Sequence, residues 1–196
     1  MPLGTHKATL FGVAGVSTAS VVLLSSQTAS DSSSLDFTSG ITSTYGEYIF
    51  KFYNVNPATD TASFAFQANA VGESDFDEYI TSTYFYAYHA EDGGENALTY
   101  SANSDQAQGT AYQHLADYIG NGADESAAGV LHLFNPSSTT YVKHFYSRFN
   151  MYTANSQTAD RYAAGYINTT SAIDEISFKM SSGNFDGTIK MWGVKN

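Results

Sequence analysis

Residues 47–69, EYIFKFYNVNPATDTASFAFQAN, confine the chain to an all-β fold more tightly than any other stretch. Tyr48, Phe50 and Phe52 alternate with Ile49, Lys51 and Tyr53, and Phe64 and Phe66 alternate with Ala65 and Gln67. A period of two sends one set to a buried sheet face and the other to the opposite face. Between the two runs lies Asn56-Pro57-Ala58-Thr59-Asp60. Asn suits the first position of a turn and Pro presets φ for the second, so a strand, a turn and a strand follow. Residues 129–150, GVLHLFNPSSTTYVKHFYSRFN, repeat the arrangement around Asn135-Pro136-Ser137-Ser138. The expectation is two long hairpins, each anchoring half of a β-sandwich.

The rest of the chain supplies further short strands. VVLLSS (21–26) and SLDF (34–37) are strands joined by a polar link over 27–33. TSTYFYAYH (81–89) is an aromatic strand with Tyr84, Tyr86 and Tyr88 on one face and Phe85, Ala87 and His89 on the other. A short strand is expected over 98–101, others at 161–167, around Ile176, Phe178 and Met180, and at 188–194. Tyr112, Leu115, Ala116 and Ile119 also fit a helical face, but Gly109 and Thr110 weaken it, and a strand over 112–119 is preferred. About ten strands without a long helix point to an antiparallel β-sandwich of jelly-roll type, one domain over 20–196. Residues 1–19 are too polar for the apolar region of a signal peptide and read as an extended N-terminal arm. No stretch attains the ~18 apolar residues of a membrane span.

Charge and chemistry narrow the function. The 19 acidic residues against 8 basic ones give a formal net charge of −11, which repels nucleic acid and anionic membranes. There is no cysteine, so disulfides and thiolate chemistry are excluded. Acidic loops at Asp75, Asp77 and Glu78, at Glu91, Asp92 and Glu95, at Asp124 and Glu125, and at Asp174 and Glu175 could supply oxygens to calcium. None matches a calcium-loop motif, and solvated loop charge is the plainer reading, so no cofactor is expected. No serine-hydrolase, zinc-protease or phosphate-loop motif is present. His132 and His144 fall on facing strands of one expected hairpin, where packing is commoner than metal ligation. Tyr84, Tyr86, Tyr88 and Trp192 have apolar bodies and polar tips, which suit a subunit interface or stacking on sugar rings. The plain alternative is sheet packing through cross-strand aromatic pairs.

The runs LLSSQTASDSSSLDFTSGITSTYGEYIFKFYNVNPATD, LFNPSSTTYVKHF and AGYINTTSAIDEISFKMSSGNFDGTIKMWGVK resemble small jelly-roll virion structural proteins of tailed bacteriophages that infect aquatic bacteria. The similarity extends over nearly the whole chain and includes the closing Trp192-Gly193-Val194 run after an SSGN loop. It implies a non-enzymatic protein located in the virion. Its partners would be the major capsid protein or tail proteins, and its assembly symmetric, most simply a homotrimer. A capsid decoration (cement) protein is preferred over a tail or fibre component, because no heptads or shaft repeats occur. Leu3, Leu10, Phe11 and Val13 would then anchor the arm to the particle. A carbohydrate-binding module for the host surface is the alternative from another class. The resemblance carries over no catalytic residues.

Overall fold

The computed structural model describes residues 20–195. They form thirteen strands and no helix: β1 (Val21–Ser32), β2 (Ser34–Phe37), β3 (Glu47–Pro57), β4 (Ala62–Ala70), β5 (Ile80–Ala90), β6 (Asn96–Tyr100), β7 (Ala107–Gly109), β8 (Gln113–Ile119), β9 (Ala127–Phe134), β10 (Lys143–Thr153), β11 (Gln157–Ile167), β12 (Ile173–Met180) and β13 (Phe185–Val194). Every pairing is antiparallel. The expected residues 1–19 arm, with Leu3, Leu10, Phe11 and Val13, lies outside the described residues.

The larger sheet runs β1–β13–β3–β9–β10–β11–β5, with β6 and β7 both pairing with β5 at its far side. The smaller runs β8–β4–β12–β2. The two sheets join where β10 meets β8 through Thr153 and Ile119. On the opposite side the Gln27 amide donates to the Asp36 carbonyl at 3.0 Å, bringing β1 to β2. The result is an all-β antiparallel sandwich of jelly-roll type, closed almost into a barrel.

Alternation makes the core. Phe50 and Phe52 of β3 and Phe149 of β10 point inward from the larger sheet, and Phe64, Phe66 and Phe178 from the smaller. Their rings meet at 5.1 Å (Phe52–Phe178), 5.6 Å (Phe52–Phe64) and 5.3 Å (Phe50–Phe178). Such tilted and edge-on pairs contribute about 0.5–1.5 kcal/mol each beyond the area they bury. Gly129 of β9 makes room for them: a Cβ there would stand 2.4 Å from the Phe149 ring and 2.6 Å from the Arg148 carbonyl oxygen.

One of the two expected hairpins is a hairpin and the other is not. β9 and β10 pair from Leu133–Phe145 to Ala127–Met151, around the Asn135-Pro136 turn. β3 and β4 do not pair: β3 lies between β13 and β9, and β4 between β12 and β8. The first Asn-Pro turn is therefore a corner between sheets. Asn54 sits at φ +51° beside a register shift, Pro57 has no N–H to give, and the next amide, Ala58, donates to the Asn184 carbonyl at 2.9 Å. The ladder cannot continue past these residues, and the chain crosses the core.

Three other expectations change in extent. The polar link at 27–33 is mostly strand, because β1 is an edge with a single full-length partner, β13, and its polar residues face water. The strand expected at 112–119 is β8. The final strand, β13, is held between β1 and β3.

Candidate interaction face and polar cleft

The outer face of the larger sheet collects side chains that are distant in sequence. One row across the strands reads Leu23, Trp192, Ile49, His132, Tyr146, Ala164. The next reads Ser26, Lys190, Lys51, Val130, Arg148, Tyr162, Phe85, Tyr100. The rings within this face stack: His132 on Tyr146 at 4.5 Å and Phe85 on Tyr162 at 4.8 Å. Each base sits over a ring, Lys51 5.8 Å from Trp192, Arg148 5.3 Å from Tyr162 and Lys190 5.4 Å from Tyr53. Tyr146 is 44 %, Phe85 41 % and Tyr100 54 % exposed. Three of the chain's eight basic residues therefore share one row on an otherwise acidic protein. Two carboxylates on this face are already engaged, Asp160 with Arg148 (2.7 Å) and Glu47 with His132. Burial raises the Asp160 pKa, but hydrogen bonds from Arg148 and Tyr162 outweigh it and hold the carboxyl below its ordinary value.

The tyrosine stripe of β5 points the other way, into the molecule. Tyr84 is fully buried, Tyr86 is half-buried, and Tyr88 packs against the core. Sheet packing thus claims Tyr84, and only Trp192 of the expected binding residues belongs to the outer face. His132 pairs across with Tyr146 and His144 with Tyr166, so the two histidines are not cross-strand neighbours.

Behind the stripe lies a buried charge pair. Asp117 of β8 and Arg161 of β11 are each 5 % exposed, with Arg161 Nε 2.8 Å from Asp117 Oδ1. The Tyr84 hydroxyl donates to Asp117 Oδ1 (3.2 Å), the Ser104 hydroxyl to Oδ2 (3.0 Å), and Arg161 Nη2 to the Asp117 carbonyl (3.3 Å). The guanidinium lies 4.1 Å over the Tyr86 ring. The Nε contact is an ion pair rather than an aligned hydrogen bond. Burial, then the Asp117 charge, push the Tyr84 phenol far above its ordinary pKa.

The pair floors a cleft of about 430 Å³, opening between β8, the β3–β4 corner and the loop before β7. His114 is in its wall with a buried Nδ1 that has no partner, and desolvation lowers its pKa from 6.5 although Asp117 opposes the shift. Tyr118 stands at the rim, 57 % exposed and at φ +61°. Neither Asp117 nor Arg161 was a candidate on sequence grounds. The available signal was their inward parity, since a charged residue there needs a buried partner.

A second cleft, about 830 Å³, lies beside the Asn135-Pro136 turn and is lined by Tyr45, Phe134, Tyr141, Val142 and hydroxyl residues. Phe134 links it to the outer face, where its ring lies 5.7 Å from Tyr146. Nearby, Lys143 is fully buried and donates to the carbonyls of Tyr141 (3.1 Å) and Thr169 (3.0 Å). Desolvation lowers its pKa and the Glu78 charge counteracts this. Several acidic loop residues fasten their own surroundings: Glu125 accepts from the Gly122 amide, Asp92 from the Gly94 amide and Glu91 from the Tyr152 hydroxyl. Among the described residues no group of three or more His, Asp or Glu side chains converges to hold a metal ion.

No family model matches this chain, and no curated protein matches it with significance.

Proposed function

We propose that this chain is a non-enzymatic structural protein of a tailed-bacteriophage particle, a capsid decoration protein that docks as a symmetric oligomer. The observation that carries the reading is the outer face of the larger sheet. Stacked rings and half-exposed aliphatic residues spread over eight strands offer a broad, rigid contact area. Lys51, Lys190 and Arg148 lie within it, so an acidic partner surface would be steered to it. The resemblance of the sequence to phage virion proteins supports the location, and the near-closure of the sandwich suits a part that must be stiff rather than catalytic.

The test is co-sedimentation of the purified chain with expanded capsids of the phage that encodes it, followed by location of the chain in intact particles by electron cryomicroscopy. The reading expects density on the icosahedral shell with the Trp192–Tyr146 face against a neighbouring subunit. It also expects that Lys51→Glu with Lys190→Glu abolishes binding while the melting temperature stays unchanged. Absence from heads and failure to bind capsids would refute it. Density on the tail would favour a second reading, adsorption to host-surface carbohydrate, for which the polar cleft at Arg161 is the supporting observation.

A further inference from the structure

We infer that the cleft floored by Asp117 and Arg161 binds a neutral pyranose ring, the terminal sugar of a glycan. The inference rests on the cleft alone and not on the docking face, which lies on the opposite side of the larger sheet.

The buried pair by itself explains only part of the arrangement. Asp117 is fully used: its carboxylate accepts from Tyr84 and Ser104 and faces Arg161. The pair thereby cancels its own charge and ties β8 to β11. One buried nitrogen in the cleft wall, His114 Nδ1, remains without a hydrogen-bond partner. Buried polar atoms are rarely left so. A hydroxyl group can serve it in either tautomer, since it both donates and accepts.

The backbone gives a second, independent sign. Tyr118 is held at φ +61°, a conformation an aromatic residue seldom adopts, and its ring is left 57 % exposed. The register shifts of the β4–β8 ladder permit it. The exposed Tyr118 ring and Asn103 both line the cleft above Asp117 and Arg161.

These features select the ligand class. The cleft, about 430 Å³, is within the size range of small-molecule sites. Its charges cancel, desolvation disfavours a charged His114, and the chain's net charge is −11, so an anion has nothing to gain. A purely apolar ligand would leave the amide, hydroxyl and ring nitrogens unpaired. A pyranose has an apolar face for Tyr118 and a ring of hydroxyls for Asn103, His114 and the pair.

The experiment titrates the full chain with the methyl glycosides of glucose, galactose, mannose and N-acetylglucosamine, up to about 20 mM, following backbone amide shifts by NMR. Glucuronate is the anionic control. At least one neutral glycoside is expected to bind with low-millimolar affinity, as befits a ligand of this size. The shifts should centre on 114–118 and 101–104. Tyr118→Asn, which tolerates the left-handed backbone, and Asn103→Ala should each weaken binding about tenfold or more without lowering the melting temperature. The inference is overturned if none of the four binds, if both variants bind as the wild type does, if the shifts centre on the outer face or the larger cleft, or if glucuronate binds more tightly. Since no particle enters the assay, its result is independent of where the chain sits on a virion.

Discussion

Asp117 and Arg161 bring opposite charges to a place where each keeps 5 % of its exposure, and Arg148 and Asp160 make a similar pair on the outer face, where the Arg148 side chain is 62 % exposed. The closest contacts are alike, 2.8 Å and 2.7 Å, and the energetics differ. Taking one partner from the buried pair strands a charge that water cannot reach, so Asp117→Ala should cost about 3–5 kcal/mol in urea unfolding. Arg148→Ala should leave the urea midpoint nearly unchanged, because solvent screens that pair. Equal costs would mean the inner pair is wetter than its burial shows. His114 gives the same neighbourhood a pH signature. Its folded pKa lies below 6.5, so under that pH the unfolded chain takes up the proton first. Stability should decline as pH drops from 6.5 through the folded pKa, then level off for this group. His114→Gln should flatten that part of the curve in denaturant midpoints taken from about pH 7.5 downward. A wild-type curve unaltered by the substitution would show that His114 is not desolvated.

At the scale of strands, Gly129 shows how closely the elements are fitted. It faces Phe52 on one side and Phe149 on the other, whose rings lie 4.9 Å apart. Gly129→Ala should therefore destabilise by about 1–3 kcal/mol, against the usual gain from replacing glycine in a strand, because ring and carbonyl must both give way. A neutral or stabilising result in thermal melts would disprove the fit. Elements also differ in how well they are held. All nine residues of β4 are buried, with Gln67 donating to the carbonyls of Glu78, Thr110 and Ala111, whereas β6 has only β5 as partner and is mostly exposed. Amides of β4 should exchange hydrogen only on global opening and those of β6 orders of magnitude faster. Comparable protection would make the β6 edge part of the core. Strand existence was legible because alternation is local: Tyr48, Phe50 and Phe52 announce their own buried face. Partnership was not. An Asn-Pro turn looks the same whether the chain folds back beside itself, as at 135–136, or crosses the core, as at 56–57; the choice depends on bulges at 53–54 and on an acceptor at Asn184. The site follows the same division. Trp192 could be placed on a sheet face by parity alone. The row that joins it to His132 and Tyr146 exists only once four registers are set by distant partners. The Tyr84–Tyr88 alternation was correct in phase, but parity does not say which face is outward, and the buried Arg161 and Asp117 decide it.

Across the whole molecule, charge is arranged rather than merely abundant. Acidic residues exceed basic ones by 19 to 8, yet Lys51, Lys190 and Arg148 stand in one row on the aromatic face. Of the other bases, Lys143 and Arg161 are buried and Lys179 lies 3.9 Å over the Tyr112 ring. Asp160 matches Arg148 on this face, so Lys51 and Lys190 make a locally basic spot on an acidic body. A docking event through that face is attracted at short range, while the remaining surface repels an acidic partner and suppresses wrong orientations. Charge of this kind acts chiefly on encounter, and the buried rings act on residence. On the proposed docking to capsids, raising salt from about 50 to about 500 mM should slow association roughly tenfold and leave dissociation nearly unchanged. Neutralising the row as Lys51→Gln, Arg148→Gln and Lys190→Gln should remove most of that salt dependence. Trp192→Ala with Tyr146→Ala should instead speed dissociation and keep the salt slope. Surface-plasmon measurements on immobilised capsids separate the two rates. A salt slope that survives neutralisation of the row would place the contact on another face, and salt-independent association would remove charge from the docking reading altogether.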